Sequence, residues 1–306
     1  MAVLESAIIY SNLIVLISIG LTMTYVTTGV PNLAQGTFAV VGSYMTLAFF
    51  RLADIHPYMS LPMVFVLGGI MGLAVYLAII RPLISRGAGI ITLMISTLGI
   101  DLVLYGGAGA FSDLLENMTM RSAKNFIFTP LDFPIWGFQG IFVVSIMVIV
   151  LMLSALYVLL FKTKFGVAMR ASMENPSLAQ VMGVNVETTR LVSWALSGGF
   201  ACVAGALLPF KQQIYPFVGD VIIVSVIAAS IVGGLGTIFG AVIGGYVIGV
   251  SESFVTFQLS KIVGPEVLVY SRVVSLIVLV LMLFLAPKGI LSIKWRRLFK
   301  WSSSSS

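Results

Sequence analysis

From Ser6 to Phe50 the chain carries no charged residue, and inside that run stands Gly29-Val30-Pro31-Asn32-Leu33-Ala34-Gln35-Gly36-Thr37. A proline, two amides and two glycines interrupt a stretch otherwise made of aliphatic, aromatic and small residues. A helix needs about 20 apolar residues to cross a hydrocarbon core of about 30 Å, so Ser6–Phe50 holds two crossings with the interruption between them. By the same measure Ile55–Ile80, Gly87–Ser112 (broken only by Asp101), Phe133–Phe161 and Leu191–Phe210 each give one crossing. Val221–Ser251 is too long for one ordinary span and too short for two, and Val273–Pro287, extended back to Leu268, gives the last. The expectation is an all-α polytopic membrane protein of about eight to nine helices with broken or re-entrant segments.

Composition points the same way. The chain is 59% hydrophobic and 9% charged, with a mean hydropathy of +1.11, against about 45–50% apolar and about 25% charged in soluble domains. No polar stretch is long enough for a second soluble domain, so residues 1–301 read as one transmembrane unit, followed by a low-complexity, disordered tail at Ser302–Ser306. The net charge of +6 reads as orientation signal and headgroup contact rather than a nucleic-acid surface. Arg81, Arg86, Lys162, Lys164, Arg170, Arg190, Lys288, Lys294, Arg296, Arg297 and Lys300 fall on one side of the span order. Arg51, Arg121, Lys124, Lys211, Lys261 and Arg272 fall on the other. The positive-inside rule makes the richer side cytoplasmic. The N-terminus is then outside and the C-terminus inside, which needs an odd number of crossings and favours nine. Trp295 and Trp301 read as an interfacial anchor. The N-terminal apolar run lacks the basic region of a cleavable signal peptide. Cys202 stands alone, which rules out an internal disulfide, and the single histidine, His56, sits beside Pro57 in an outer loop with no metal or nucleophile partner in view.

Inside a bilayer, non-helical backbone persists only where protein or water satisfies its N–H and C=O groups. Two segments read as broken in this sense: GVPNLAQGT, and Gly233–Gly240, GGLGTIFG, which is followed by Gly244, Gly245 and Gly249. Half-helices meeting near the midplane put their free ends on a cavity, as in transporter substrate sites, and helix N-termini there favour a carboxylate. Asn32, Gln35, Gly36 and Thr37, with Gly233, Gly234 and Gly236, are therefore expected to line a solute pathway, and so are the acids Asp101 and Glu252. The competing readings are local ones. The amides would cap neighbouring helix ends, and the glycines, Gly240, Gly244 and Gly245 above all, would let helices pack closely. Gly36–Tyr44, GTFAVVGSY, faintly echoes Gly236–Tyr246, GTIFGAVIGGY. Among the acids, Asp101 lies within the fourth span, and an intramembrane carboxylate is costly enough to suggest function. It reads equally as a hydrogen-bonding helix contact. Glu252 closes the glycine run, buried or interfacial, and Asp220 starts a helix on the outer side.

The longest inner loop, residues 162–190, contains KTKFGVAMRASMENPSLAQVMGVNVETTR. Asn175 can cap a helix, Pro176 is tolerated at its first position and Gly183 can end it, so a short helix over Pro176–Met182 is expected at the cytoplasmic surface. Either it grips a soluble partner or it lies on the headgroups as an amphipathic connector.

With these motifs in order, the chain resembles the permease subunits of the branched-chain (hydrophobic) amino-acid ABC importer family. The resemblance rests on Gly20–Tyr44, Arg81–Leu104, Thr163–Val186, Ala229–Ser253 and the closing Ala286–Leu291, APKGIL. It implies that this subunit forms a translocation pathway in the cell membrane with a second permease subunit, a homologous chain or a copy. It also implies two ATP-binding subunits docked under Arg170, Glu174, Asn175, Pro176 and Gly183, and an extracytoplasmic solute-binding protein that delivers substrate. ATP would be hydrolysed by the partner subunits. This chain has no phosphate-binding Gly-x-x-x-x-Gly-Lys-Ser/Thr loop of its own, and it is expected to bind no cofactor and catalyse no reaction. Family members carry a His at the position of Gln35 and a Phe at that of Leu33, and Asp101 is not an acid the family leads one to expect, which leaves the substrate open. The competing class is an ion-coupled secondary transporter in which Asp101 and Glu252 hold protons or sodium. A passive channel is the third.

Overall fold

The computed structural model describes residues 2–134, 137–264, 266, 270–286 and 289–290. Among them every regular element is helical, apart from an isolated antiparallel bridge between Phe126 and Ile214. The uncharged run becomes α1 (Ala2–Thr28) and α2 (Gln35–Ala53). α3 (Leu61–Val75) passes through a single π turn, Tyr76–Ile80, into α4 (Arg81–Ser85). Pro82 has no N–H to offer the carbonyl four residues back, and the widened turn ahead of it absorbs that defect. There follow α5 (Ile90–Thr119), α6 (Gly140–Lys162), α7 (Lys164–Glu174), α8 (Pro176–Val181), α9 (Val186–Leu207), α10 (Val218–Gly233), α11 (Ile238–Val263) and α12 (Ser271–Leu285). Seven helices among the described residues are long and apolar enough to span: α1, α2, the α3–α4 unit, α5, α6, α9 and α11. Two further apolar helices, α10 and α12, are shorter, at 16 and 15 residues.

α1 is the axis of the bundle. Its side chains from Ile9 to Leu21 are almost all sealed from solvent, whereas α3, α5 and α6 keep broad apolar faces open, with Val66, Ile95, Leu102, Val103, Met147 and Leu151 more than half exposed. Those faces suit lipid. Between helices there is little hydrophobic driving force in lipid, so contact depends on how closely backbones approach. Glycine supplies that closeness here. A Cβ on Gly245 or Gly249 of α11 would collide with Val15 or Ser11 of α1, and one on Gly198 of α9 with the Gly68 carbonyl of α3. Gly205 of α9 likewise meets the Ala39 backbone of α2, and Gly244 of α11 meets Ala229 of α10. The close-packing reading of Gly240, Gly244 and Gly245 therefore holds.

Basic residues separate to the two ends of the bundle as the span order anticipates. At the Ala2 end, Lys211 donates to Ser6 and Arg272 to Tyr10, while Arg51 clamps the Arg121 and Ser122 carbonyls at 2.9 and 2.6 Å. At the Thr28 end, Arg190 donates to the Thr27 carbonyl at 3.2 Å and Arg81 pairs with Glu187 at 2.8 Å. Two boundaries differ from expectation. α5 does not stop at Ser112 but runs to Thr119, because Asp113 finds Lys124 at 3.1 Å and the Glu116 carboxylate accepts the Ala123 N–H at 3.1 Å, which gives both acids work in the last turns. α6 does not start at Phe133 but at Gly140, where the Asp132 carboxylate accepts from the Ile141 N–H at 3.1 Å while it also accepts from the Tyr58 hydroxyl at 2.7 Å. Burial, with that carboxylate beside it, raises the pKa of Tyr58 above the usual phenol range. Pro287, Lys288, Trp295, Trp301 and the Ser302–Ser306 tail lie outside the described residues.

Glu252 ties four helices together. Its Oε1 accepts from Tyr10 of α1 and pairs with Arg272 of α12; its Oε2 accepts from Ser225 of α10 at 2.7 Å and Ser275 of α12 at 2.6 Å. Removing one partner of a buried ion pair strands the other charge, at a cost of about 3–5 kcal/mol. Glu252→Leu should therefore lower the unfolding temperature in detergent sharply. The double variant Glu252→Leu/Arg272→Met should regain much of the loss, read by the same thermal scan.

Candidate functional site

The interruption that opened the sequence reading is neither a midspan break in one helix nor a plain surface turn. α1 completes its run, and Gly29, at a φ of 75°, reverses the chain while its N–H still reaches the Tyr25 carbonyl at 2.7 Å. Residues 30–34 then re-enter the bundle, so that α2 begins alongside the middle of α1: the Gln35 amide donates to the Ile17 carbonyl at 3.4 Å. Ile17 lies about 16 Å short of Thr28 along the α1 axis, a distance that the extended Gly29–Gln35 segment covers easily at about 3.3 Å per residue. The amides satisfy the re-entrant backbone. Asn32 Oδ1 accepts from the Ala34 N–H at 3.2 Å, and Asn32 Nδ2 donates to Gln35 Oε1 at 3.0 Å. Gln35 Nε2 also donates to the Ser197 carbonyl at 3.2 Å, and Ser197 Oγ donates back to Gln35 Oε1 at 3.0 Å. Both amides are fully enclosed, so they join α1, α2 and α9 rather than offering free groups to an open cleft.

Just beyond them the polar character turns toward α5. Thr37 donates to Asp101 Oδ1 at 2.5 Å. Gly36 packs on Gly219 with no room for a Cβ on either side, which brings the first turns of α2 and α10 into backbone contact. Asp220, one residue on, is close enough to interact electrostatically with the Asp101 carboxylate. One helical turn along α5, Tyr105 meets Phe217 edge-on at 6.3 Å, both partly exposed. Two positive helix ends and two carboxylates thus share one corner. Asp101 and Thr37 were legible as candidates. Asp220, Tyr105 and Phe217 were not, because nothing local in the sequence places the start of α10 against α5.

The second suspected break sits elsewhere. Gly233, Gly234 and Gly236 form a tight turn joining α10 to α11: Gly234 has a φ of 100°, its N–H returns to the Ser230 carbonyl at 3.0 Å, and Gly236 and Thr237 are exposed at the tip. Since Gly245 packs on Val15, the turn falls near the Thr28 end of α1. It lies against α11, not beside Gln35. Glu252 is not near Asp101 either; its two oxygens already accept four contacts, about the full capacity of a carboxylate.

The inner loop folds as its caps dictate. Asn175 Oδ1 accepts the Leu178 N–H at 3.0 Å and Pro176 opens α8. Gly183, at a φ of 83°, ends it, with the Val184 N–H returning to the Ala179 carbonyl at 2.9 Å. Ala179 is buried beneath the helix, while Leu178, Val181 and Met182 stand 59%, 83% and 77% exposed. That outward apolar trio was missed in a search for polar contacts. Arg170 leans back over the Phe161 ring at 4.6 Å, whereas Glu174 faces outward. The loop leads directly into α9, whose Glu187 accepts from the Tyr76 hydroxyl at 3.0 Å in the π turn and pairs with Arg81.

The profile of the permease component of branched-chain amino acid transport systems matches residues 3–283. The chain is 55% identical over 303 residues to a probable branched-chain amino acid transport permease protein LivH of Methanocaldococcus jannaschii, covering 99% of this chain and 96% of that one. It is 28% identical over 296 residues to the high-affinity branched-chain amino acid transport permease LivH of Salmonella typhimurium, and 26% over 288 residues to BraD of Pseudomonas aeruginosa, with 90% of each chain covered in both cases. No solved structure matches it. The chain belongs to the permease family of branched-chain amino acid transport systems.

Gln35→Leu removes the acceptor that Asn32 and Ser197 share and the donor to Ile17 and Ser197. Stranding such buried groups costs about 1–3 kcal/mol each. This variant should unfold at a clearly lower temperature than Gln35→Glu, which keeps the acceptor, in parallel detergent melts.

Proposed function

We propose that this permease, paired with a second permease subunit, forms the membrane pathway of an ATP-driven importer for branched-chain or related amino acids. The observation that carries the reading is the end-to-end family match, residues 3–283; the apolar trio on α8 supports it. Two ATP-binding subunits dock on Leu178, Val181 and Met182 with Glu174 at the rim, and a solute-binding protein delivers substrate at the Ala2 end of the bundle. The span order of the sequence assigns the basic excess to the Thr28 end, which the positive-inside rule reads as cytoplasmic.

A zwitterionic amino acid needs both signs of charge close together. The corner formed by Asp101, Thr37 and the first turns of α2 and α10 provides them: the carboxylate takes the ammonium group, and the helix ends take the carboxylate. Gln35 and Asn32 act one step behind, holding α2 so that its first turn faces this corner. Movement reaches the corner from α8 by two connections. Glu187 engages Arg81 and Tyr76 at the π turn, and Arg190 holds the Thr27 carbonyl at the root of the re-entrant segment. ATP drives transport because the ATPase dimer binds one arrangement of α8 better than the other, and that difference in affinity is all the work available. Glu252 has no place in an ion-coupled cycle, since Arg272 and three hydroxyls already saturate it.

Co-expression with the ATP-binding subunits and purification through a tag on this chain should recover them together. Vesicles carrying the assembly should take up a branched-chain amino acid only with ATP. Uptake by the chain alone under a sodium or proton gradient would overturn the proposal. Gly183→Val forces a β-branched side chain into a left-handed backbone. It should cut substrate-stimulated ATPase activity about tenfold, the scale of an ordinary coupling energy, while the permease still folds. Asp101→Asn should impair uptake and leave basal ATPase activity unchanged.

A further inference from the structure

A cavity of about 590 Å³ opens at the Ala2 end of the bundle, remote from the Asp101 corner and from α8, between the first turns of α1, the last turns of α11 and the first turn of α12. Ser6, Tyr10, Lys211, Glu252, Thr256 and Arg272 are among the residues that line it. Its charges do not balance. Glu252 is matched by Arg272, but the half-buried Lys211 donates to Ser6 and has no acid within ion-pair distance among the described residues. Burial lowers the pKa of Lys211, because its charge sits partly out of water without a counter-charge. Arg272 Nε and Thr256 Oγ1 are buried without a hydrogen-bond partner.

The depth of the cavity is that of a headgroup layer. Lys211 follows the last residue of the α9 span, Ser271 and Arg272 open α12, and Ser6 lies in the second turn of α1. Phe254 of α11 is turned outward beside the cavity, and Val273 and Ile277 of α12 are turned outward from Arg272 toward the middle of the bundle, each about half exposed, which gives an apolar surface next to the cations. A cationic cup above a hydrocarbon-facing groove matches an amphiphile with an anionic head. We propose that this cavity holds the phosphate of an anionic lipid headgroup, with Lys211 and Arg272 as its cationic partners and the acyl chains lying along α11 and α12.

Native mass spectrometry of the full-length protein tests this after exchange into phosphatidylglycerol, phosphatidylcholine or lipid-free detergent with inorganic phosphate. The wild type should retain phosphatidylglycerol in preference to phosphatidylcholine. Lys211→Gln should reduce that preference about tenfold, Lys211→Arg should restore it, and Lys124→Gln, a change to an exposed lysine beside Asp113, should leave it intact. An undiminished preference in Lys211→Gln, or equal retention of the two lipids by the wild type, overturns the site. Thermal stabilisation by inorganic phosphate that is lost in Lys211→Gln, without any lipid preference, assigns the anion to a soluble source and overturns the lipid. Because the readout is lipid retention by this chain, it is independent of whether ATP drives transport.

Discussion

Within hydrocarbon, a peptide group without a hydrogen-bond partner has nowhere to turn, and the fold depends on how that demand is met between α1 and α2. The chain could have ended α1, turned at the surface and begun α2 there. It re-enters instead, and two side-chain amides close the hydrogen bonds that helix geometry no longer supplies. Gln35 is the pivot: one amide reaches a carbonyl of α1, a carbonyl of α9, the Ser197 hydroxyl and Asn32. The rest follows from it. α2 starts deep, its first turn is brought against that of α10, and a carboxylate from α5 can sit where two helix ends converge.

Much of this was legible because lipid imposes strong rules on sequence. The all-α membrane class and the capped helix at Asn175–Gly183 follow from local composition, and the structure agrees with them. The pattern weakened where a polar or glycine-rich stretch admitted two geometries. GVPNLAQGT and GGLGTIFG looked alike as interruptions. One re-enters because its amides can bond to the backbone of α1 and α9 and of the re-entrant segment itself; the other, with no side chain but Leu, Thr, Ile and Phe among its glycines, can only turn tightly and let α10 and α11 pack backbone to backbone. Glu252 misled for a related reason. A sequence shows that a carboxylate lies in a span, but not that an arginine and three hydroxyls from distant positions surround it. Asp220, Tyr105 and Phe217 show the same limit from the other side, since their grouping depends wholly on helix packing.

Polar contacts in this protein divide by purpose. The Glu252 network is saturated and spans α1, α10, α11 and α12, which suits a part that stays rigid. The contacts at the Thr28 end are fewer and partly exposed: single links from Glu187 and Arg190 to the π turn and to the end of α1. Links of that kind can be remade at little cost, whereas a buried, fully bonded charge cannot. The Glu252 end of the bundle is bonded firmly and the Thr28 end more loosely.

α12 has a bearing on the membrane itself. Its 15 residues rise only about 22 Å, yet its flank from Leu276 to Leu285 is turned to lipid. The surrounding bilayer has a hydrocarbon thickness nearer 30 Å, so acyl chains beside this helix must shorten or tilt, at a fraction of a kcal/mol for each ångström of mismatch. The mismatch is confined to this flank, since seven other helices among the described residues are long enough to cross.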